Sequence, residues 1–197
     1  MARPSLKNER REQILTAYVS TVSKHGLSGA TLEAIASEAE LKRPLVRHHL
    51  GNKEAMFEQL VEHVIGEFSK QTRQLMDVLP PSGRVEALIE ILLGAPQDKT
   101  TPELVFAFAE LTMKSVSDRV LASRLAASVA EFETALATEI HHEYSSVPKA
   151  RIRAVAHGIA SIYFNSVSLA PLALGTSEAR SAADILIQSL REKKRTK

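Results

Sequence analysis

Residues 31–53 read TLEAIASEAELKRPLVRHHLGNK, and the reading of this stretch decides the fold. The spacing predicts two short helices joined by a tight corner, followed by the start of a third. Thr31 opens the first helix, where its hydroxyl can accept from free backbone N–H groups. Glu33 falls in the first turn, where the helix dipole favours a negative charge. Ile35, Ala36 and Ala39 share one face at helical spacing. The corner is Glu40-Leu41-Lys42, and the second helix runs from about Arg43 to Leu50. Pro44 fits its first turn, because the N–H that proline lacks has no helical partner there. Leu45 and Val46 give this helix an apolar contact with its neighbours, whereas Lys42, Arg43, Arg47, His48 and His49 leave the rest polar and basic. A short cationic helix, rigidly propped, has the form needed to lie in a DNA major groove.

Working outward, the chain reads as all helix, with no period-2 alternation and no Asn-Gly or Asp-Gly hairpin signal. A first helix spans about 8–25, with Ile14, Leu15, Tyr18 and Val22 on one face and Gly26 as its stop. A fourth helix begins near Asn52, carries Met56, Phe57, Leu60, Val64 and Phe68, and runs to about Leu79 before Pro80-Pro81. Val85, Leu88, Ile89, Leu92 and Leu93 mark a fifth helix, closed by Gly94-Ala95-Pro96. Thr101-Pro102 opens a sixth, Asp118 caps a seventh, Pro148 starts an eighth that ends near Pro171, and a ninth spans about Ser177–Leu190. The expected organisation is a helix-turn-helix domain over residues 1–52 and a helical bundle over 53–197, with the fourth helix connecting them.

Residues 8–65, and the helical layout after them, resemble the TetR family of bacterial transcriptional repressors. The family pattern places a Thr at the start of helix 2, an Ile-Ala pair within it, an apolar residue in the corner and a Lys-Glu pair opening helix 4. Thr31, Ile35-Ala36, Leu41 and Lys53-Glu54 fill those places. Three features depart from the pattern. Glu40 stands where Gly is usual, so the corner is expected to manage without easy access to positive φ. Lys42 replaces the usual Ser cap. Arg47, His49 and Leu50 replace aromatic residues of the recognition helix. The resemblance implies a homodimer that binds a palindromic DNA operator and is released from it by a small-molecule effector. It implies no cofactor and no catalytic residue.

The candidate DNA-binding residues are Thr31, Lys42, Arg43, Pro44, Leu45, Arg47, His48, His49, Asn52 and Lys53. Lys53 can reach a phosphate with the free N–H groups of its helix beside it, and Thr31 offers a hydroxyl at a second helix start. Arg43 and Arg47 lie four residues apart on one face, and a guanidinium can pair two-pronged with guanine O6 and N7. Pro44 and Leu45 offer methyl contacts to thymine. His48 and His49 diverge by about 100° on a helix, with no third ligand at metal spacing. Phe106, Phe108, Met113, Phe132, Tyr163 and Asn165 mix apolar bulk with a few polar atoms, as a small-molecule pocket does. The small residues of helix 8, which needs burial nearly all round, are expected to make a four-helix dimer interface with a stripe of helix 9 (Ala179, Ala183, Leu186, Ile187, Leu190), over about residues 149–171 and 177–190.

Composition bounds the alternatives. The chain has 197 residues, 44% of them hydrophobic, a net charge of +2 and no cysteine, which excludes disulfides, thiolate zinc sites and cysteine nucleophiles. Residues 1–56 hold nine Lys/Arg against six acids, so the first quarter is basic and the remainder close to neutral. The N-terminus has no apolar run of a secretory signal, and a cytoplasmic location is expected. From Arg153 to Glu178 no charged residue intervenes, but His157, Gly158, Asn165 and Pro171 favour a buried bundle helix over a membrane span. An enzyme lacks support: there is no HExxH, no phosphate loop and no spaced carboxylate–histidine set. An adaptor whose corner motif docks protein is the other alternative.

Overall fold

The computed structural model describes residues 6–94, 100–172 and 177–191, which form nine α-helices and no strand. They gather into two compact units that do not follow chain order. One takes the described residues within Met1–Phe68 and Asp98–Leu125, the other those within Ser69–Gln97 and Ala126–Lys197.

In the first unit, α1 (Leu6–Gly29) buries Ile14, Leu15, Tyr18 and Val22 at helical spacing. Gly26 does not end it as expected. The backbone breaks there, at φ 69° and ψ 173°, and helix resumes to Gly29. Positive φ is open to glycine at little cost. The break frees the Leu27 N–H, which donates to the Glu110 carboxylate at 3.0 Å. The helices α2 (Leu32–Glu38) and α3 (Arg43–Leu50) form the corner, and α4 (Lys53–Asp77) follows. The Thr31 Oγ1 accepts the Ala34 N–H at 3.2 Å and caps α2. Asn52 Oδ1 accepts the Ala55 N–H at 2.9 Å and caps α4.

The corner corrects a sequence expectation. Glu40 itself takes positive φ, 54°. Its N–H donates to the Ser37 carbonyl at 3.1 Å and the Leu41 N–H to the Ala36 carbonyl at 2.9 Å. These are the two bonds of a Schellman ending, which satisfies the last carbonyls of α2 and requires a left-handed residue between them. The need for those bonds outweighs the Cβ strain of a non-glycine residue, of about 1–2 kcal/mol. The remainder of this unit is α6 (Thr100–Lys114), a 3-10 turn over Ser115–Ser117 and the start of α7 (Arg119–Glu143). Asp118 Oδ1 accepts the N–H groups of Val120 and Leu121 and caps α7 as expected.

The second unit holds the later parts of α4 and α7 with α5 (Arg84–Leu93), α8 (Lys149–Ser168) and α9 (Ser177–Arg191). The helix α4 stops at Asp77, two residues before the expected end. Arg84 donates to the carbonyls of Met76, Leu79 and Pro80 there and pairs with the buried Glu139 carboxylate at 2.6 Å. After α8, Ala170–Leu172 make a 3-10 turn. The α8 helix is not buried all round: Ile152, Val155, Ala156, Ile159 and Tyr163 are buried, while Ala154, His157, Ser161 and Asn165 are exposed. In α9, the stripe assigned to a partner is largely turned into the same unit, since Ala183, Ile187 and Leu190 are buried there. Burial of the more apolar stripe within its own chain leaves Ser181, Ile185 and Gln188 outward. Among the described residues no helix is long and apolar enough to cross a membrane.

Candidate nucleic-acid interface

The candidate recognition helix α3 has two sharply different sides. Val46 and Leu50 are fully buried, which fixes the helix on its neighbours, and Arg43, Pro44, Leu45, Arg47 and His48 are exposed. Two glutamines fasten the corner from beneath. Gln59 of α4 donates to the Leu50 carbonyl at 2.8 Å and accepts from Arg11 Nε of α1 at 2.8 Å. Gln13 of α1 donates to the Ala39 carbonyl at 2.9 Å. These bonds take up backbone carbonyls that the ends of α3 and α2 leave open. Lys42 stands at the N-cap of α3 with no side-chain cap bond, and Gly51 at φ 81° closes the other end.

Cationic groups surround this helix. Lys42, Arg47 and Lys53 have no carboxylate partner among the described residues. Arg43 does: its Nη1 lies 2.7 Å from Glu33 Oε1 on α2. His49 is half-buried with its ring edge-on to His48, the centroids 5.5 Å apart. Burial, and then the positive charge of His48, Lys7 and Arg10, hold its imidazole below the ordinary value of 6.5. Lys53 is exposed at the first residue of α4, where free backbone N–H groups and the dipole favour an anion. Thr31, Arg43, Arg47, Asn52 and Lys53 line one open groove of about 990 Å³, together with Tyr18, Met56 and Phe57. Nine of the ten sequence-selected residues are exposed; Leu45 is 37% exposed among them, Thr31 and Asn52 also serve as helix caps, and His49 alone of the ten is half-buried. Lys114 also lines the groove, and Lys7 and Arg10 lie within electrostatic reach of His49; the sequence reading had missed all three. The i, i+3 spacing of Lys7 and Arg10 was a usable signal, whereas Lys114 lies more than fifty residues away in sequence.

The six residues selected as a small-molecule site divide between the units. Phe106 is half-buried, Phe108 is buried against Phe68 with centroids 5.4 Å apart, and Met113 is 72% exposed; all three belong to the first unit. In the second unit, Phe132, Tyr163 and Phe164 form a cluster with centroid separations of 5.6–6.0 Å. Burial pushes the Tyr163 hydroxyl up to about 12. Ser128 Oγ, one turn before Phe132, is buried without a hydrogen-bond partner among the described residues. Asn165 is exposed.

The sequence pattern of the bacterial regulatory proteins, tetR family, matches residues 14–60, which contain the corner and the first turns of α4. An HTH-type transcriptional regulator BetI of Paraburkholderia phymatum is 28% identical over 91 residues, 45% of this chain and 46% of that protein, so the match spans about half the length of that curated relative. A protein of the same name from Burkholderia mallei is 27% identical over 175 residues, covering 82% of each chain. The solved structure of a transcriptional regulator, TetR family, from Cytophaga hutchinsonii aligns over the full length of both chains with a TM-score of 0.72 at 11% identity, which is a likeness of fold.

Proposed function

We propose that the chain is a DNA-binding transcriptional regulator of the TetR family, an effector-released repressor that reads a palindromic operator as a homodimer in the cytoplasm; the match of residues 14–60 to that family's pattern supports this reading. The observation that carries this reading is the two-sidedness of α3. Val46 and Leu50 anchor the helix, and Arg43, Arg47 and His48 stand outward from it. Lys53 and Lys42 would neutralise phosphates, Thr31 would donate its hydroxyl to one, and Arg43 and Arg47 would read base edges, with Pro44 and Leu45 against thymine methyls. His49 and Asn52 complete the face.

A helix of eight residues is about 12 Å long and spans too few base pairs for useful specificity, so a two-fold dimer reading two half-sites is proposed. The outward sides of α8 and α9, with Ala154, Ser161, Ser181 and Ile185, are the surfaces offered for that pairing. The aromatic cluster of Phe132, Tyr163 and Phe164, beside a buried unpartnered Ser128 hydroxyl, supports an effector site in the second unit. Asn165, in the same unit, remains a candidate for it, whereas Phe106, Phe108 and Met113 belong to the first unit and are not part of it. An effector would act by favouring a dimer whose recognition helices are wrongly spaced.

Selection of duplexes from a random pool, followed by footprinting at fixed salt, tests the reading. A palindromic protected site is expected. Arg43→Ala with Arg47→Ala should weaken binding to it by roughly 100-fold or more while leaving helical content unchanged. A protein that selects no sequence, or a double variant that binds the selected duplex as tightly as the parent, would overturn it.

A further inference from the structure

Arg43 is the first residue of α3, and among the described residues it is the one cation of the recognition helix that is held by a carboxylate: Glu33, in the first turn of α2, at 2.7 Å. The two side chains are 57% and 61% exposed. Exposed pairs of this kind contribute little to stability. The pair also sits on the face expected to meet phosphate, where a carboxylate is repelled. A group that adds little to the fold and opposes non-specific attraction fits a role in discrimination.

We infer that Glu33 is a specificity-determining positioning residue, which holds the Arg43 guanidinium through Nη1 and leaves the Nη2–Nε edge of the fork free for guanine. This rests on the DNA-binding reading above. The chemistry follows from the donor set. A guanidinium carries five N–H donors in a fixed plane, so one prong given to Glu33 leaves a parallel pair that matches guanine O6 and N7. A fork already held loses less freedom when it meets its base. In a register that offers Arg43 only a phosphate, the Glu33 carboxylate is carried toward the same phosphate and repelled, which penalises the wrong sites. Arg47, with no such partner among the described residues, keeps both uses.

The test uses the full chain, a duplex selected from a random pool by the parent protein, and a scrambled duplex of equal length and base composition. Dissociation constants are measured at one salt concentration for the parent, Glu33→Gln, Arg43→Ala and the double variant, with thermal unfolding of each. Glu33→Gln should weaken binding to the selected duplex while holding or tightening binding to the scrambled one, so that their ratio falls about tenfold. In the Arg43→Ala background the same change should leave the ratio where it was. Reselection with Glu33→Gln should lose a guanine preference at one position of each half-site.

Equal tightening on both duplexes would mean that Glu33 merely withholds the Arg43 charge, and would overturn the inference. A loss on both duplexes with a lowered unfolding temperature, or an effect that persists without Arg43, would also overturn it. A parent that selects no sequence sinks the DNA-binding reading itself. A parent that selects a site while Glu33→Gln keeps the ratio sinks the positioning role alone.

Discussion

Glu40 shows how one residue can be placed against its own preference. It supplies the left-handed link between α2 and α3, and the bonds of Glu40 and Leu41 back to α2 depend on that link. Glycine would remove the Cβ clash, of about 1–2 kcal/mol, at the cost of a more flexible unfolded chain. The net expectation for Glu40→Gly is a gain of about 1 kcal/mol, read as a rise of about 2–4 °C in the thermal midpoint. His49 gives a prediction in pH. Its folded-state pKa lies below its ordinary 6.5, because burial and the charges of His48, Lys7 and Arg10 oppose protonation. The unfolded chain therefore binds the proton more readily, and the contribution of His49 to stability is lost as pH falls from 6.5 through the folded value. Phosphates beside the ring act the other way and favour the proton, so DNA binding should take one up and tighten as pH is lowered from about 7.5 to about 6. A His49→Gln variant, compared with the parent across that range, should show a flatter dependence.

At the level of the elements, the boundaries of α2 and α3 were legible because their signals are local. Thr31 caps, Pro44 sits in a first turn, and the alternation of buried and exposed residues follows the helical period. The bonds that hold the elements to one another were not legible. Gln13 and Gln59 read as ordinary polar positions, and their partners Ala39, Leu50 and Arg11 are chosen by tertiary approach rather than by spacing. The Gly26 break went unread for the same reason, since its freed N–H is taken by Glu110, 83 residues from Leu27 in sequence. Asn52 lies on the boundary between the two kinds of signal, because its cap is local and its groove position is not. Asn52→Ala should cost about 1 kcal/mol in denaturant unfolding through the lost cap. Its effect on DNA affinity should exceed that of Lys70→Ala, a change on the same helix outside the groove.

For the whole molecule, periodicity announced that α8 and α9 must pack but not which side faces which neighbour. Both helices carry two usable stripes, and the chain buries the more apolar stripe of α9 within its own unit. Ile185, 65% exposed, is the largest apolar group left outward on α9. Ile185→Glu should shift a dimer toward monomer in sedimentation at micromolar concentration and weaken operator binding through the loss of paired half-sites, with helical content unchanged. Within the first unit, Glu103 and Glu110 stand two turns apart on α6 and grip α1 at Ser20 and at the Leu27 amide. Two grips on one rod resist slippage: α6 cannot slide along its axis and leave α1 behind without breaking both. Motion of α6 is thereby geared to the helix whose glutamine and arginine side chains steady the reading head.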